Sequence, residues 1–200
     1  MKTIKRFSPL FAATLIVASA VLAAAQTTSW KIDPAHSQAA FTIRHMGISN
    51  VNGRFGNITG TITLNDKDLT KSSVNATIDT TTVDTGVAQR DGDLKSPNFF
   101  DVAKFPTMTF ASKSVARSGD DYILTGDLTM HGVTKPVTLK LDAPDKEQTG
   151  PDGKQRRGFS ATTTLHRQDF GLTWNGTLKS GDAMIGDDVK ITLDIEAVKE

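Results

Sequence analysis

The stretch YILTGDLTM, residues 122–130, places Tyr122, Leu124, Gly126, Leu128 and Met130 on one parity, with Thr125, Asp127 and Thr129 between them. A period of two sends alternate side chains to opposite faces of an extended chain, so this segment reads as a half-buried strand. The rhythm continues in both directions. Downstream, past His131-Gly132, runs Val137-x-Leu139-x-Leu141; upstream, across RSGDD at 117–121, runs Met108-x-Phe110. Two runs of one period separated by a Gly-containing turn are the pattern of antiparallel neighbours.

The same pattern covers most of the chain. Trp30-x-Ile32, Phe41-x-Ile43-x-His45, Ile58-x-Gly60-x-Ile62-x-Leu64 and Val74-x-Ala76-x-Ile78 precede it. Phe159-x-Ala161-x-Thr163-x-Leu165 and Val189-x-Ile191-x-Leu193-x-Ile195 follow. Turn signals fall at NVNG (50–53), NDKD (65–68), TGPDGK (149–154) and SGD (180–182). Residues 87–95 alone read as a short helix, weakened by Gly92. The sum is an all-β chain of eight or nine antiparallel strands in one domain. Both a sandwich and a closed barrel bury one face of each strand, so alternation does not choose between them.

The N-terminus has a basic start (Lys2, Lys5, Arg6), an apolar run from Leu10 to Leu22 and small residues at Ala23-Ala24-Ala25. That predicts a secretory signal peptide over residues 1–25, cleaved after Ala25, and a mature domain of residues 26–200. Cleavage removes three of the 23 basic residues and none of the 22 acidic ones, leaving a net charge of −2. Mixed charge of that size offers no footprint for nucleic acid or an anionic membrane, and no later segment is apolar enough for an integral membrane span. With no Cys, neither disulfides nor thiolate metal sites hold the chain together. A hydrophobic core must do so.

Four of the ten Phe fall within SPNFFDVAKFPTMTF, residues 96–110. Interrupted by Asp101, Lys104 and Pro106, the segment reads as a chain crossing one end of the fold and then entering a strand. Phe105 and Phe110 are expected in the wall. Phe99 and Phe100 are expected to cap an apolar interior, one facing a ligand and the other the core.

WKIDPAHSQAAFTIRHMGISNVNGRFGNITGTI (30–62), SPNFFDVAKFPTMTF, LTGDLTMHGVTKPVTL (124–139), HRQDFGLTWNG and IGDDVKITLDIEA (166–197) stand in this order and span the mature chain. Together they resemble the YceI-like family. The resemblance implies a lipocalin-like antiparallel β-barrel of about eight strands in the bacterial periplasm. It also implies a long interior that binds an apolar lipid of the polyisoprenoid or isoprenoid-quinone type, with no cofactor. The family's Arg-Asp-x-His-Leu reads Arg90-Asp91-Gly92-Asp93-Leu94 here, which puts a carboxylate where an imidazole is usual.

The inward row supplies the candidate lining: Phe41, Ile43, His45, Phe55, Ile62, Ile78, Phe110 and Leu128, joined by Phe99, Phe100 and Phe105. Phe170 and Trp174, from HRQDFGLTWNG, complete it. Arg44, Arg90 and Arg167 are candidate polar groups at the rim, where a guanidinium suits a phosphate or carbonyl-bearing head. Arg167 and Asp169 are two apart, which on a strand would let them pair.

Catalytic and metal patterns are weak. There is no G-x-S-x-G, H-E-x-x-H or P-loop. His36, His45, His131 and His166 are far apart and read as structural. Asp66-x-Asp68-x-Thr70 begins like a calcium loop, but Lys71 and Thr77 stand where Gly and Glu are needed. Asp120/Asp121 and Asp187/Asp188 read as solvated turn charges, and the sequons at Asn57, Asn75 and Asn175 as strand and turn residues. The expectation is a non-enzymatic lipid carrier. A filled-core interaction module and an enzyme acting on an isoprenoid are the alternatives. A homodimer is compatible with the sequence.

Overall fold

A computed structural model describes residues 27–200. The expected signal peptide lies outside them. Eleven antiparallel strands form one sheet: β1 (Thr28–Ile32), β2 (Gln38–His45), β3 (Ser49–Phe55), β4 (Ile58–Leu64), β5 (Ser73–Asp79), β6 (Thr107–Ser118), β7 (Asp121–Met130), β8 (Val133–Leu141), β9 (Gln148–Thr149), β10 (Gln155–His166) and β11 (Ile185–Lys199). Helix α1 spans Ala88–Lys95, one residue inside the expected range. No helix among the described residues is long and apolar enough to cross a membrane.

Eight strands close a ring in the order β11-β1-β4-β5-β6-β7-β8-β10, and β10 returns to β11 over Arg156↔Val198 to His166↔Asp188. Closure leaves no ring strand with a free edge, which settles the choice between sandwich and barrel. The β7–β8 turn shows how locally the sequence dictates this. His131 and Gly132 both have positive φ, +51° and +74°, the backbone a two-residue hairpin needs to match strand twist.

The fifteen-residue β11 outruns any single partner on its other edge. It pairs with β1 as far as Ile32↔Ala197 and then with β2 from Gln38↔Asp194 to His45↔Ile185. Between them residues 33–37 leave the ladder. Ser37 fills the gap, its Oγ donating to Glu196 O at 3.3 Å and accepting from Glu196 N at 3.1 Å. Arg156 braces the outside of the break, with Nη1 3.0 Å from Asp33 and 2.7 Å from Glu196.

The hairpin β2–β3 projects past one end of the ring. Its turn is Met46–Ile48, with positive φ at Met46 and Gly47, and not the NVNG stretch the sequence suggested. Asn50 to Gly53 instead pair with Phe41 to Arg44 inside the ladder. Gly53 is there because the Phe41 ring covers it, leaving no room for a Cβ. Among the described residues the outer edge of β3 meets the remaining chain through a single β-bridge, Arg54↔Asp84. Around it Thr82 Oγ1 accepts from Gly56 N at 3.0 Å, and Phe55 meets Phe100 edge to face at 5.2 Å.

The largest buried cluster holds Trp30, Ile32, Phe55, Ile58, Leu64 and Phe170, and a smaller one holds Leu124, Leu139 and Ala161. Trp30 is fully buried, flanked by the Arg157 guanidinium at 5.2 Å and the Lys199 ammonium at 5.3 Å. The inward face is apolar on every ring strand, but it does not fill the barrel.

Candidate binding cavity

A single cavity of about 610 Å³ runs along the barrel interior. Its volume lies within the 300–1,000 Å³ of small-molecule sites. The wall comes from the period-two positions. Phe41, Ile43 and His45 enter from β2, Phe55 from β3, Ile62 from β4, Ile78 from β5, Phe110 from β6 and Leu128 from β7, and all eight line the space. Lining residues the sequence had not singled out as site residues, such as Val137, Phe159, Val189 and Ile191, sit on the same parity of their own strands. Their alternation was the available signal.

Small residues decide how much space remains. Phe110 is paired across the strands with Leu128, and its ring lies over Gly126, the inward residue two positions away. A Cβ on Gly126 would meet that ring and stand 2.6 Å from Ala111 O. The glycine lets the aromatic lie flat along the wall.

The two ends differ in chemistry. At one, Leu69, Ser72, Tyr122, Leu141, Asp142 and Pro144 surround the space. At the other, Arg44, Arg90, Asp93, Asn98, Phe99 and Trp174 do so. Phe99 and Phe100 both line the cavity and both pack against the main core cluster, so the expected division of labour between them does not hold.

Two expected lining residues are elsewhere. Phe105 packs edge-on against the His131 ring at 4.8 Å, in the turn before β6 and outside the cavity. Phe170 is 2% exposed in the core, its carbonyl accepting from His131 Nδ1 at 3.2 Å. Both lie where the period of two is broken. Asp101 takes φ +44° ahead of Phe105, and Phe170 closes a 3₁₀ turn over Arg167–Phe170.

That turn also overturns the expected pairing of Arg167 with Asp169. Arg167 is 4% exposed and lines the cavity. Its Nε donates to Gly186 O at 2.9 Å, and its Nη1 donates to Trp174 O at 2.9 Å and to Leu172 O. Nη2 is buried without a partner among the described residues. Burial lowers its pKa from the ordinary arginine value, with nearby Asp187 opposing. Arg90 donates from Nε to Thr85 Oγ1 at 2.8 Å and from Nη2 to Thr85 O at 3.1 Å. Exposed Arg44 holds the hairpin turn through Asn50 Oδ1 and Gly47 O. The three guanidiniums line one end of the cavity, Arg44 exposed and Arg167 buried.

Among the described residues, two groups of potential ligand atoms lie on the outer surface. Asp33, His36 and Glu196 converge, but Arg156 already neutralises the carboxylates. The hydrogen bond to Asp33 raises the His36 pKa, and the His36 hydrogen bond lowers that of Asp33. His166 Nδ1 lies 2.8 Å from Asp188 and 3.6 Å from Asp187. The irregular pairing of β11 between Ile185 and Val189 accompanies the approach of these adjacent carboxylates to one imidazole; their side chains are exposed, as expected of solvated charges, but lie in a strand and not in a turn.

Comparison with known proteins places this geometry in context. The profile of the YceI-like domain matches residues 30–197. The chain is 37% identical to protein YceI of Escherichia coli over 192 residues, 95% of each chain. The crystal structure of the Campylobacter jejuni YCEI protein superposes with a TM-score of 0.65 at 29% identity, covering 78% of this chain and 90% of that one. A polyisoprenoid binding domain from Saccharophagus degradans, implicated in plant cell wall breakdown, gives a TM-score of 0.61 at 15% identity. The match covers 86% of this chain and 99% of that domain, and it speaks to the fold alone.

Proposed function

The chain belongs to the YceI-like family, and on that premise we propose that it is an exported, periplasmic carrier of one long apolar lipid of the polyisoprenoid class. The observation that carries this reading is the cavity: about 610 Å³ walled by inward Phe, Ile, Leu and Val along the barrel. Burying a tail there gains about 0.8 kcal/mol per CH₂, so a long chain needs little polar help to bind tightly. The polyisoprenoid-binding domain with the same fold is a precedent for the ligand class. Two of the wall hydroxyls are committed to structure. Ser72 Oγ accepts from Asn65 N, and Thr163 Oγ1 donates to Thr138 O.

Organic extraction of protein taken from its own periplasm, followed by mass spectrometry, tests this. The expected result is one apolar species per barrel, with a mature N-terminus at Gln26. Delipidated protein should melt lower, because ligand at a hundredfold excess over Kd stabilises by about 2.7 kcal/mol. An empty extract, with identical melting before and after, would overturn the carrier reading.

A further inference from the structure

The charged lining of the cavity is polarised. Arg44 and His45 from β2, Arg90 and Asp93 from α1, and Arg167 from the 3₁₀ turn stand at the end where the β2–β3 hairpin projects. Asp142 is the charged lining residue at the opposite end. Among the lining residues, three guanidiniums stand with one carboxylate at the first end, and one carboxylate stands at the second.

Arg167 dominates that balance because of its burial. A guanidinium stays protonated in proteins, so this is a fixed positive charge removed from water. Its hydrogen bonds all go to carbonyl dipoles, and no carboxylate lies within ion-pairing distance of it among the described residues. The nearest influence of opposite sign is Asp187, on β11, which acts only through space. Nη2 keeps two N–H groups without an acceptor. Buried charges and buried donors are ordinarily matched, and where they are not, an absent partner is the usual explanation. A structural guanidinium needs only the three carbonyls. The unmatched charge and the vacant donors, set in the wall of a cavity, remain to be accounted for.

Resting on the carrier reading, we propose that the molecule held in the barrel is an amphiphile with an anionic oxygen head, a carboxylate or phosphate, seated at the Arg167 end. Its tail extends toward Tyr122 and Leu141. The head supplies the counter-charge that Arg167 lacks, with Arg44 and Arg90 adding to the field at the mouth. In a water-poor cavity such a charge pair counts for far more than in solvent. The lone Asp142 disfavours the reverse orientation.

The test uses delipidated mature protein and three probes sharing one tail: oleate, oleyl alcohol and oleyl phosphate, each kept below its micellar concentration. Calorimetric titration at neutral pH is expected to show at least one anion binding about tenfold or more tighter than the alcohol, as charge-assisted hydrogen bonding predicts. The tighter of the two identifies the head as carboxylate or phosphate. Oleate carrying ¹³C at its carboxyl gives a readout independent of mutation: when bound, it should stay ionised to lower pH than in an Arg167→Gln variant. If that variant does not fold, the bound carboxyl in the unaltered protein is compared with the same oleate in neutral detergent. Equal affinity for alcohol and both anions, or a carboxyl titrating as in detergent, overturns the anionic head while leaving the carrier reading intact. Failure of all three probes to bind removes both.

Discussion

Phe99 rests against Trp174, ring centroids 5.3 Å apart and planes inclined by 52°, across the mouth of the cavity. One ring comes from the segment after α1 and the other from the loop before β11. Neither is fixed by a ladder hydrogen bond to the other, so on the proposed carrier function this is the contact expected to part when ligand passes.

The aromatic cluster should therefore divide by function under mutation. Trp174 is 41% exposed, whereas Phe100 packs edge-on against Phe55, which is only 6% exposed. Phe100→Ala is expected to cost about 3 kcal/mol of stability, the low end for a packed Phe. Trp174→Ala should cost less than about 1 kcal/mol and speed ligand release several-fold, the effect appearing in the off-rate. Denaturant titration and stopped-flow displacement of a fluorescent lipid measure the two. An unchanged off-rate in Trp174→Ala would show that the mouth is closed by something else.

A second outcome concerns the wall. Gly126→Ala drives a Cβ into the Phe110 ring with Ala111 O only 2.6 Å away. The ring must swing into the cavity or the β6–β7 pair must separate, at a cost of about 1–3 kcal/mol. Ligand affinity should fall with stability. Loss of stability with affinity retained would place the Phe110 ring outside the occupied volume.

The third outcome is a pH dependence. The hydrogen bond to Asp33, 3.0 Å from Nδ1, raises the pKa of His36 above its ordinary 6.5. A group that binds its proton more tightly when folded stabilises the fold below the unfolded pKa, and that contribution disappears as pH climbs through the folded value. The unfolding midpoint should thus decline modestly as pH rises from about 6 toward 8. In His36→Gln the decline should vanish. Asp33, whose pKa is lowered, gives the opposite slope only at acid pH, as it protonates. A wild-type midpoint flat above pH 6 would show that protonated His36 adds nothing to Arg156 and Ser37 at the break between β1 and β2.

Alternation made the barrel wall readable. Phe41, Ile43, Ile62, Ile78, Phe110 and Leu128 were each identifiable from parity alone, because a strand has only two faces and polar neighbours mark one of them. Parity fails once the chain stops being extended. Phe105 follows the αL residue Asp101 and Phe170 closes a 3₁₀ turn, and neither lines the cavity that composition suggested. Arg167 and Asp169 failed likewise, since residues two apart share a face only in a strand. The NVNG stretch misled for another reason: Gly53 answers to the Phe41 ring opposite, a long-range demand that looks locally like a turn. The hollow interior was implied by the family resemblance and not by alternation, since filled and hollow barrels share one pattern.

The hairpin edge has a consequence for traffic. The ring strands are laced to both neighbours, but β3 is tied to the segment 80–85 by one bridge, in which Arg54 N reaches Asp84 O at 2.9 Å and Asp84 N reaches Arg54 O at 3.0 Å. An exposed ion pair between the same two side chains adds little. Parting Arg54 from Asp84 would free the β3 edge beside Phe55 while the eight-strand ring stays shut. On the proposed carrier function, that would widen the end where Phe99 and Trp174 meet without opening the wall.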